Sequence, residues 1–159
     1  MHLYTHDAFR LPRGATGYFT PKEGPLPQTD LRLFKAALHS AARAGGGRAG
    51  EMDEQRCPRT FHSASVVHRT RESVVLCHAH HPWIAFARER QDWYGAGDFI
   101  EPPPWSQPFA AVGFSLLSAG QLETPLTDLD TSMLSRAERY QIDFFALTTL
   151  GGVLFNAWD

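Results

Sequence analysis

Three apolar runs within residues 61–87 predict the centre of a β-sheet. They are rich in β-branched and aromatic side chains, which favour strands. The polar stretch 69–72 separates the first two runs and suits a hairpin turn, and Pro82 ends the second run because it cannot donate to a strand ladder. The predicted strands cover residues 60–68, 73–81 and 83–87.

A helix is predicted over residues 30–44, before these strands. Its apolar residues recur at the three-to-four spacing of one helix face, and Thr29 or Asp30 can cap its first turn. The glycines at 45–47 end it. The apolar face consists of Leu31, Phe34, Leu38, Ala41 and Ala42.

A second helical region is predicted over residues 135–158. Ser135 and Glu138 have the spacing of a capping box. The residues that follow indicate a largely buried helix, which Thr148 or Thr149 interrupts before a short final helix from 150 to 158. In that final helix we expect Leu150, Val153, Leu154, Phe155 and Trp158 to face the core.

The rest of the chain completes a single predicted domain over residues 1–159. Residues 1–28 are rich in glycine and proline and predict an extended arm packed on the body, whereas residues 45–59 predict a mobile loop. One more strand is expected around residues 111–117. The predicted fold class is α+β: an antiparallel sheet of about four or five strands with helices 30–44 and 135–158 packed on one face.

Composition narrows the possible partners. No apolar run approaches the ~20 residues that span a bilayer, and no secretion signal is recognisable, so we expect a cytoplasmic protein with no membrane partner. Residues 1–90 carry 13 basic and 8 acidic side chains, whereas residues 91–159 carry 2 and 9. The absence of a dense basic stripe argues against nucleic acid, and the acidic C-terminal part favours a basic protein partner. Alternatively, the two parts neutralise each other within the fold.

The histidines predict a possible metal site. Side chains alternate along a strand, so His78 and His80 share one face of the run 77–81. If Val66 pairs with Leu76, a third imidazole joins them, and the set could bind zinc or another divalent transition metal. A slip of one residue would remove that third ligand. Otherwise the histidines form a polar rim. The metal site would consist of His62, His78 and His80.

The loop 92–105 predicts a protein-binding surface. It mixes large aromatic side chains with carboxylates, and three prolines stiffen it. Rigid aromatic anchors surrounded by charges are typical of interface hot spots, although the aromatics could instead cover the sheet. With two acids further along the chain, the predicted surface consists of Asp92, Trp93, Tyr94, Asp98, Phe99, Glu101, Trp105, Asp128 and Asp130.

The C-terminal residues Phe155-Asn156-Ala157-Trp158-Asp159 resemble the ending of small bacterial proteins that finish in Phe-Asn-x-Trp-Asp after a helix. The resemblance covers about the last 25 residues. Some proteins of this general size and makeup act as immunity partners of secreted toxins, and the resemblance therefore implies a protein partner and no catalytic residue. Residues 145–147, Phe-Ala-Leu, stand where those proteins have Trp-x-Pro in the helix before that ending, so the chain departs from the pattern there.

The sequence thus favours a small bacterial, cytosolic protein-binding module: an immunity protein that inhibits a toxin by direct binding, without catalytic residues or cofactor. The competing hypothesis is a metal-binding protein or metal-dependent enzyme that uses the His-x-His strand site. A third is an oligomeric structural protein whose aromatic side chains form a self-interface.

Overall fold

A computed structural model describes residues 9–158 of the chain. The strands are β1 (Arg48–Asp53), β2 (Phe61–His68), β3 (Arg71–His78), β4 (Trp83–Ala87), β5 (Phe99–Ile100) and β6 (Ser115–Leu116). The α-helices are α1 (Leu31–Ala44), α2 (Gln107–Ala111), α3 (Ala119–Leu122), α4 (Arg136–Phe144) and α5 (Leu150–Leu154), and 3-10 turns cover Pro104–Ser106 and Leu126–Asp128.

One sheet organises the molecule. Its strand order is β1-β2-β3-β4-β5, with every neighbouring pair antiparallel, and the two-residue β6 pairs in parallel with the start of β4. The predicted α+β class and antiparallel sheet are confirmed. The three apolar runs form β2, β3 and β4 at the centre, where both faces of the sheet are buried. The buried positions of β3 and β4 are nearly all apolar, whereas β2 also buries His62, Ser63 and Ser65.

Helices cover both faces of the sheet. Val75 and Cys77 of β3 pack with α1 and α2, whereas Val74 and Leu76 point the other way, towards α3, α4 and α5. The two helical segments that were expected on one face therefore lie on opposite faces. The physical reason is the alternation of strand side chains: β3 is apolar at consecutive positions, so both faces need a cover.

The helices begin and end largely at the predicted caps. Asp30 accepts the Leu33 backbone N–H at the start of α1. Ser135 and Glu138 form the predicted capping box, and Thr149 caps α5. The region 135–158 nevertheless forms two short helices, α4 and α5. The expectation that the first of them is largely buried is wrong, since Glu138 and Ile142 are the only buried residues of α4.

Two further segments differ from the sequence-based expectation. Residues 45–59, predicted as a loop, include the edge strand β1, whose polar residues pair with β2 through the backbone. Residues 107–111, which end where the extra strand predicted around 111–117 begins, form α2, and within that predicted strand only Ser115–Leu116 form a strand. A short apolar run fits a buried helix as well as a strand, and periodicity does not distinguish them.

The described part of the N-terminal arm, residues 9–28, lies against the sheet and α4. Leu11 and Ala15 are fully buried, and Gly14 and Thr16 donate hydrogen bonds to the carboxylate of Glu138. Within residues 9–158, none of the helices has the length and apolar character needed to cross a membrane.

Candidate functional site

The observed strand register separates the predicted metal ligands. Val66 pairs with Ser73 instead of Leu76, and His62 pairs with Cys77. His62 therefore lies on the α1 face, where its ring stacks on Phe34, whereas His78 lies on the opposite face. The register differs from the expected one by three residues, and an odd shift exchanges the two faces.

His78 is a buried structural imidazole. Its Nδ1 accepts the backbone N–H groups of His80 and His81, both at 3.1 Å, and its Nε2 donates to the carbonyl of Ala15 at 2.8 Å. Nδ1 is an acceptor twice, so the proton is on Nε2 and the ring is neutral. Burial lowers the pKa of His78 to about 3. Both nitrogens are occupied, so neither is free to bind a metal ion.

The other two histidines are also engaged. His80 Nδ1 lies 2.7 Å from the carbonyl oxygen of Pro27. His62 Nδ1 accepts the backbone N–H of Gln55, and burial lowers the pKa of His62 to about 4. Among residues 9–158, no group of three His, Cys, Asp or Glu side chains is arranged to hold a metal ion.

Three aromatics of the predicted binding surface belong to the interior. Tyr94 and Phe99 are 2% and 6% exposed, and both pack in the core on the α5 side of the sheet. Trp105 is half-buried against Phe86 and the backbone of Gly45. These three therefore do not offer the exposed contact area predicted for them; they cover the sheet, as in the alternative interpretation.

Several acids of the predicted surface have internal partners. Asp98 accepts the backbone N–H of Gly95 at 2.7 Å, and Glu101 accepts that of Ala119 at the start of α3. Asp130 is held by Ser132 and Arg10, and hydrogen bonds from these residues lower its pKa. These bonds fix loops and caps, so the acids are not all available to a partner. The exposed side chains of Asp92 and Asp128 form no hydrogen bond or ion pair within the described part of the chain.

Trp93 is the aromatic residue of this region that remains exposed, at 53%. It lies on residues 91–98, hereafter the Trp93 loop. Tyr94, the residue after Trp93, anchors the loop. Its backbone N–H donates to the carbonyl of Phe155. Its hydroxyl donates to the carbonyl of Glu89 and accepts the backbone N–H of Gln91. Asp98 closes the loop by accepting from both Gln91 and Gly95. The indole is thus presented on a braced backbone.

Two concave surfaces flank Trp93. One, the arginine pocket, has a volume of about 640 Å³. Arg59, which lines this pocket, forms an ion pair with Asp53, with 3.0 Å between the guanidinium nitrogen and the carboxylate oxygen. Its guanidinium lies over the ring of Phe61. The other, the acceptor cavity, has a volume of about 260 Å³ and lies between the Trp93 loop and residues 145–156. The arginine pocket is lined by Arg56, Cys57, Pro58, Arg59, Gln91, Asp92, Trp93 and Ala157.

The C-terminal residues contribute to both of these surfaces: Ala157 lines the arginine pocket, and Asn156 lines the acceptor cavity. Residues 155–158 run beside residues 58–60, with a bridge between Arg59 and Ala157 and a hydrogen bond from the Trp158 N–H to Pro58. Phe155 is fully buried, and the Trp158 indole donates to the carbonyl of Thr16 at 2.7 Å. The expected packing role of this ending agrees with these contacts; Asp159 lies outside the described residues.

The surface next to Trp93 also contains residues that the sequence did not single out. Arg56, Arg59 and Phe145 come from segments distant in the chain, and no spacing relates them to Trp93. A comparison of this chain with known protein families, curated proteins and solved structures finds no match. The geometry around Trp93 is therefore the basis for a function.

Proposed function

We propose that this chain is a small cytosolic protein-binding module, an immunity-type protein that neutralises a toxin by covering it. The observation that supports the proposal is Trp93, half exposed on a braced loop between two concave surfaces. A large aromatic side chain that is already held in place loses little conformational entropy on binding, which is the usual property of an interface hot spot.

The charges next to Trp93 suggest how a partner would be oriented. The arginine pocket carries two arginines and Asp92, whereas the acceptor cavity on the other side of the indole has Asp98 as its charged residue. A partner surface with complementary charges on the two sides of an apolar recess would fit in one orientation. This replaces the uniformly acidic surface expected from the sequence.

Cys77 and His78, a thiol and an imidazole at the end of β3, are not placed for chemistry, which is compatible with a binding function. Cys77 is fully buried, and burial raises the pKa of its thiol well above the usual range. A thiol in that state is not a nucleophile. The imidazole of His78 is buried with both nitrogens engaged, so it is not placed to exchange protons with a substrate.

Co-expression tests the proposal. If the gene beside this one encodes a toxin, cells that express the toxin domain should grow only when this chain is present, and the two proteins should co-purify in equal amounts. Trp93→Ala should abolish protection and weaken the complex by about 2 kcal/mol or more, roughly thirty-fold. A tight complex that Trp93→Ala leaves unchanged would contradict the proposed surface.

Met133→Ala is the matched control. Met133 is 55% exposed, as Trp93 is, but it lies outside the Trp93 loop and lines neither of the two concave surfaces. The Met133→Ala variant should protect cells from the toxin as well as the unchanged chain does. Loss of protection in both variants would indicate a general effect of removing exposed side chains and would argue against Trp93 as the anchor.

A further inference from the structure

The outward face of α4 is apolar at its centre. Phe144 and Tyr140 are 67% and 63% exposed, the highest values among the large apolar side chains of residues 9–158. They are one helical turn apart, and they lie opposite Glu138 and Ile142, the buried residues of the same helix. Exposed apolar side chains that adjoin each other on a docked helix indicate a contact surface.

The two exposed rings are already held in position. They stack on each other with 6.1 Å between the ring centroids, and Phe144 also packs edge-on against Phe145 at 5.1 Å. Phe145 in turn packs against Trp158, whose indole donates to the carbonyl of Thr16. A side chain supported in this way loses little conformational entropy when another surface covers it.

A groove runs beside the aromatic pair. It lies between α4 and residues 18–23 of the N-terminal arm, and its volume of about 450 Å³ is large enough to hold an aromatic ring. Tyr140 lines the groove, whereas Phe144 does not. The other α4 residues that line it belong to the first two turns of the helix: Arg136, Ala137 and Gln141.

The charges on α4 oppose the dipole of the helix. Arg136 and Arg139 lie in its first turn, and Asp143 lies in its last turn. All three are exposed, and their side chains form no ion pair within the described part of the chain. A helix favours acids near its N-terminus and bases near its C-terminus, so these charges are unfavourable towards their own helix. They become favourable beside a second α4 that runs in the opposite direction.

We propose that two copies of this chain form a homodimer through α4, with the helices antiparallel about a two-fold axis near Tyr140. Residue 136 of one copy then faces residues 143 and 144 of the other, because residues equally distant from the axis lie opposite each other. Arg136 pairs with Asp143 of the other copy. Phe144 enters the groove beside Tyr140 of the other copy, and the two-fold axis repeats both contacts.

A second copy fits this face because the face is complementary to itself. It presents charges of both signs, a projecting ring and a groove for that ring, and each is at the distance from Tyr140 that its counterpart requires. The nine-residue helix is only about 14 Å long, so we expect a small interface and a micromolar dimer. The inference does not rest on the proposed function.

Sedimentation of the untagged full chain tests the dimer. Between about 1 µM and about 300 µM, the average mass should rise from that of one chain towards that of two. A chain that remains monomeric over this range would overturn the inference.

Charge reversal tests the antiparallel arrangement. Asp143→Arg and Arg136→Asp each place like charges opposite each other at both ends of the interface, and each should weaken the dimer at least about ten-fold. Both variants should stay folded, because each new charge is one that the helix dipole favours. An equimolar mixture restores the opposite-charge pairs and should associate at least about five-fold more tightly than either variant alone, as a heterodimer detected by native mass spectrometry. Failure of the mixture to associate, or an unweakened single variant, would overturn the arrangement.

Phe144→Ala tests the aromatic contact. It should weaken the dimer at least about ten-fold. Val112→Ala is the control, because Val112 is 42% exposed but follows α2, which packs on the other face of the sheet. It should leave the dimer unchanged within about two-fold. If Phe144→Ala weakened the complex with a toxin and left self-association unchanged, this face would belong to the toxin, and the homodimer would be rejected. The two proposals therefore fail separately.

Discussion

The hydroxyl of Thr16 donates a hydrogen bond of 2.6 Å to the carboxylate of Glu138, and both residues are fully buried. The same oxygen accepts the N–H groups of Gly14 and Thr16, and the other accepts the N–H of Ser135. Four donors thus compensate the removal of one carboxylate from water. This arrangement joins the N-terminal arm to the first turn of α4.

Replacing Glu138 by alanine should detach the arm from α4. The variant leaves buried backbone N–H groups without acceptors, and we expect the free energy of unfolding to fall by about 3 kcal/mol. Urea denaturation followed by tryptophan fluorescence measures this. Glu89→Ala, at an exposed position whose side chain forms no hydrogen bond or ion pair with the described residues, should change the value by less than about 0.5 kcal/mol. A similar, small effect of both substitutions would contradict the structural role.

Stability should fall on acidification through His78. Its pKa in the folded protein is lowered to about 3 by burial, whereas the unfolded value is near 6.5. Below pH 6.5 the unfolded chain therefore binds the proton first. The free energy of unfolding should decrease by about 2 kcal/mol between pH 8 and pH 5 from this residue alone. His62, whose pKa burial also lowers, to about 4, acts in the same direction.

Imidazole NMR signals check this directly. In the folded protein the His78 signal should not titrate between pH 7.5 and pH 4.5. His39→Gln, at an exposed position, is the matched control for the removal of an imidazole. Titration of His78 near pH 6.5 would show that the ring is not held neutral in the fold.

The elements that the sequence predicted best have strong local signals. The α1 helix has an apolar stripe, the Asp30 cap and a glycine end, and each of these contributes through nearby residues only. β1 has no such signal, because its pairing with β2 uses backbone groups that every residue carries. An edge strand of polar residues does not show the alternation that prediction requires.

The register of β2 and β3 depends on the length of the hairpin turn between them, and the turn residues do not indicate that length. His68 pairs with Arg71, so the hairpin turns over Arg69 and Thr70, with Arg69 at φ 59°. Such a conformation favours glycine or asparagine, and neither is present. The expected longer turn shifted the register by three residues and placed His62 on the wrong face, so the predicted metal trio was wrong for a reason of turn geometry.

The binding surface was only partly predictable because exposure depends on tertiary contacts. Trp93 and Tyr94 are adjacent in the sequence and equally aromatic, yet one is exposed and the other anchors the loop to the core. Likewise Tyr140 and Phe144 of α4 are exposed and stacked at 6.1 Å, although an apolar pattern predicts burial. Local sequence does not distinguish these outcomes.

Arg90 should not be replaceable by lysine. Its guanidinium donates to Ser63 Oγ at 2.8 Å, to Ser65 Oγ at 2.9 Å and to the carbonyl of Glu51, thereby joining the end of β4 to β2 and β1. A single ammonium cannot form this planar fork. We expect Arg90→Lys to lower Tm by about 4–8 °C, which corresponds to about 2 kcal/mol. Arg88→Lys, at an exposed position, is the control and should leave Tm within about 1 °C of the unchanged chain. Calorimetry measures the Tm of both variants. Equal Tm values for the two would contradict the role given to the three hydrogen bonds of Arg90.

Gly151 should not tolerate a methyl group. A Cβ added there would fall 2.8 Å from Phe99 Cζ and 3.1 Å from the carbonyl oxygen of Leu122, both in the packed core. We expect Gly151→Ala to lower the free energy of unfolding by about 2–3 kcal/mol through overpacking, despite alanine's higher helix propensity. At Gly120 in α3, a Cβ would meet only Ser118 Oγ at 3.8 Å, so Gly120→Ala should be neutral or stabilising.

A double-mutant cycle identifies the ring responsible for the effect of Gly151→Ala. Phe99→Leu shortens the side chain that faces Gly151, so it should recover part of the stability lost in Gly151→Ala, although it destabilises the unchanged chain. Urea denaturation of the four proteins gives the coupling, which we expect to be at least about 1 kcal/mol. Additive effects would mean that the added methyl clashes with Leu122 instead, and that Phe99 is less tightly packed against α5 than the contacts indicate.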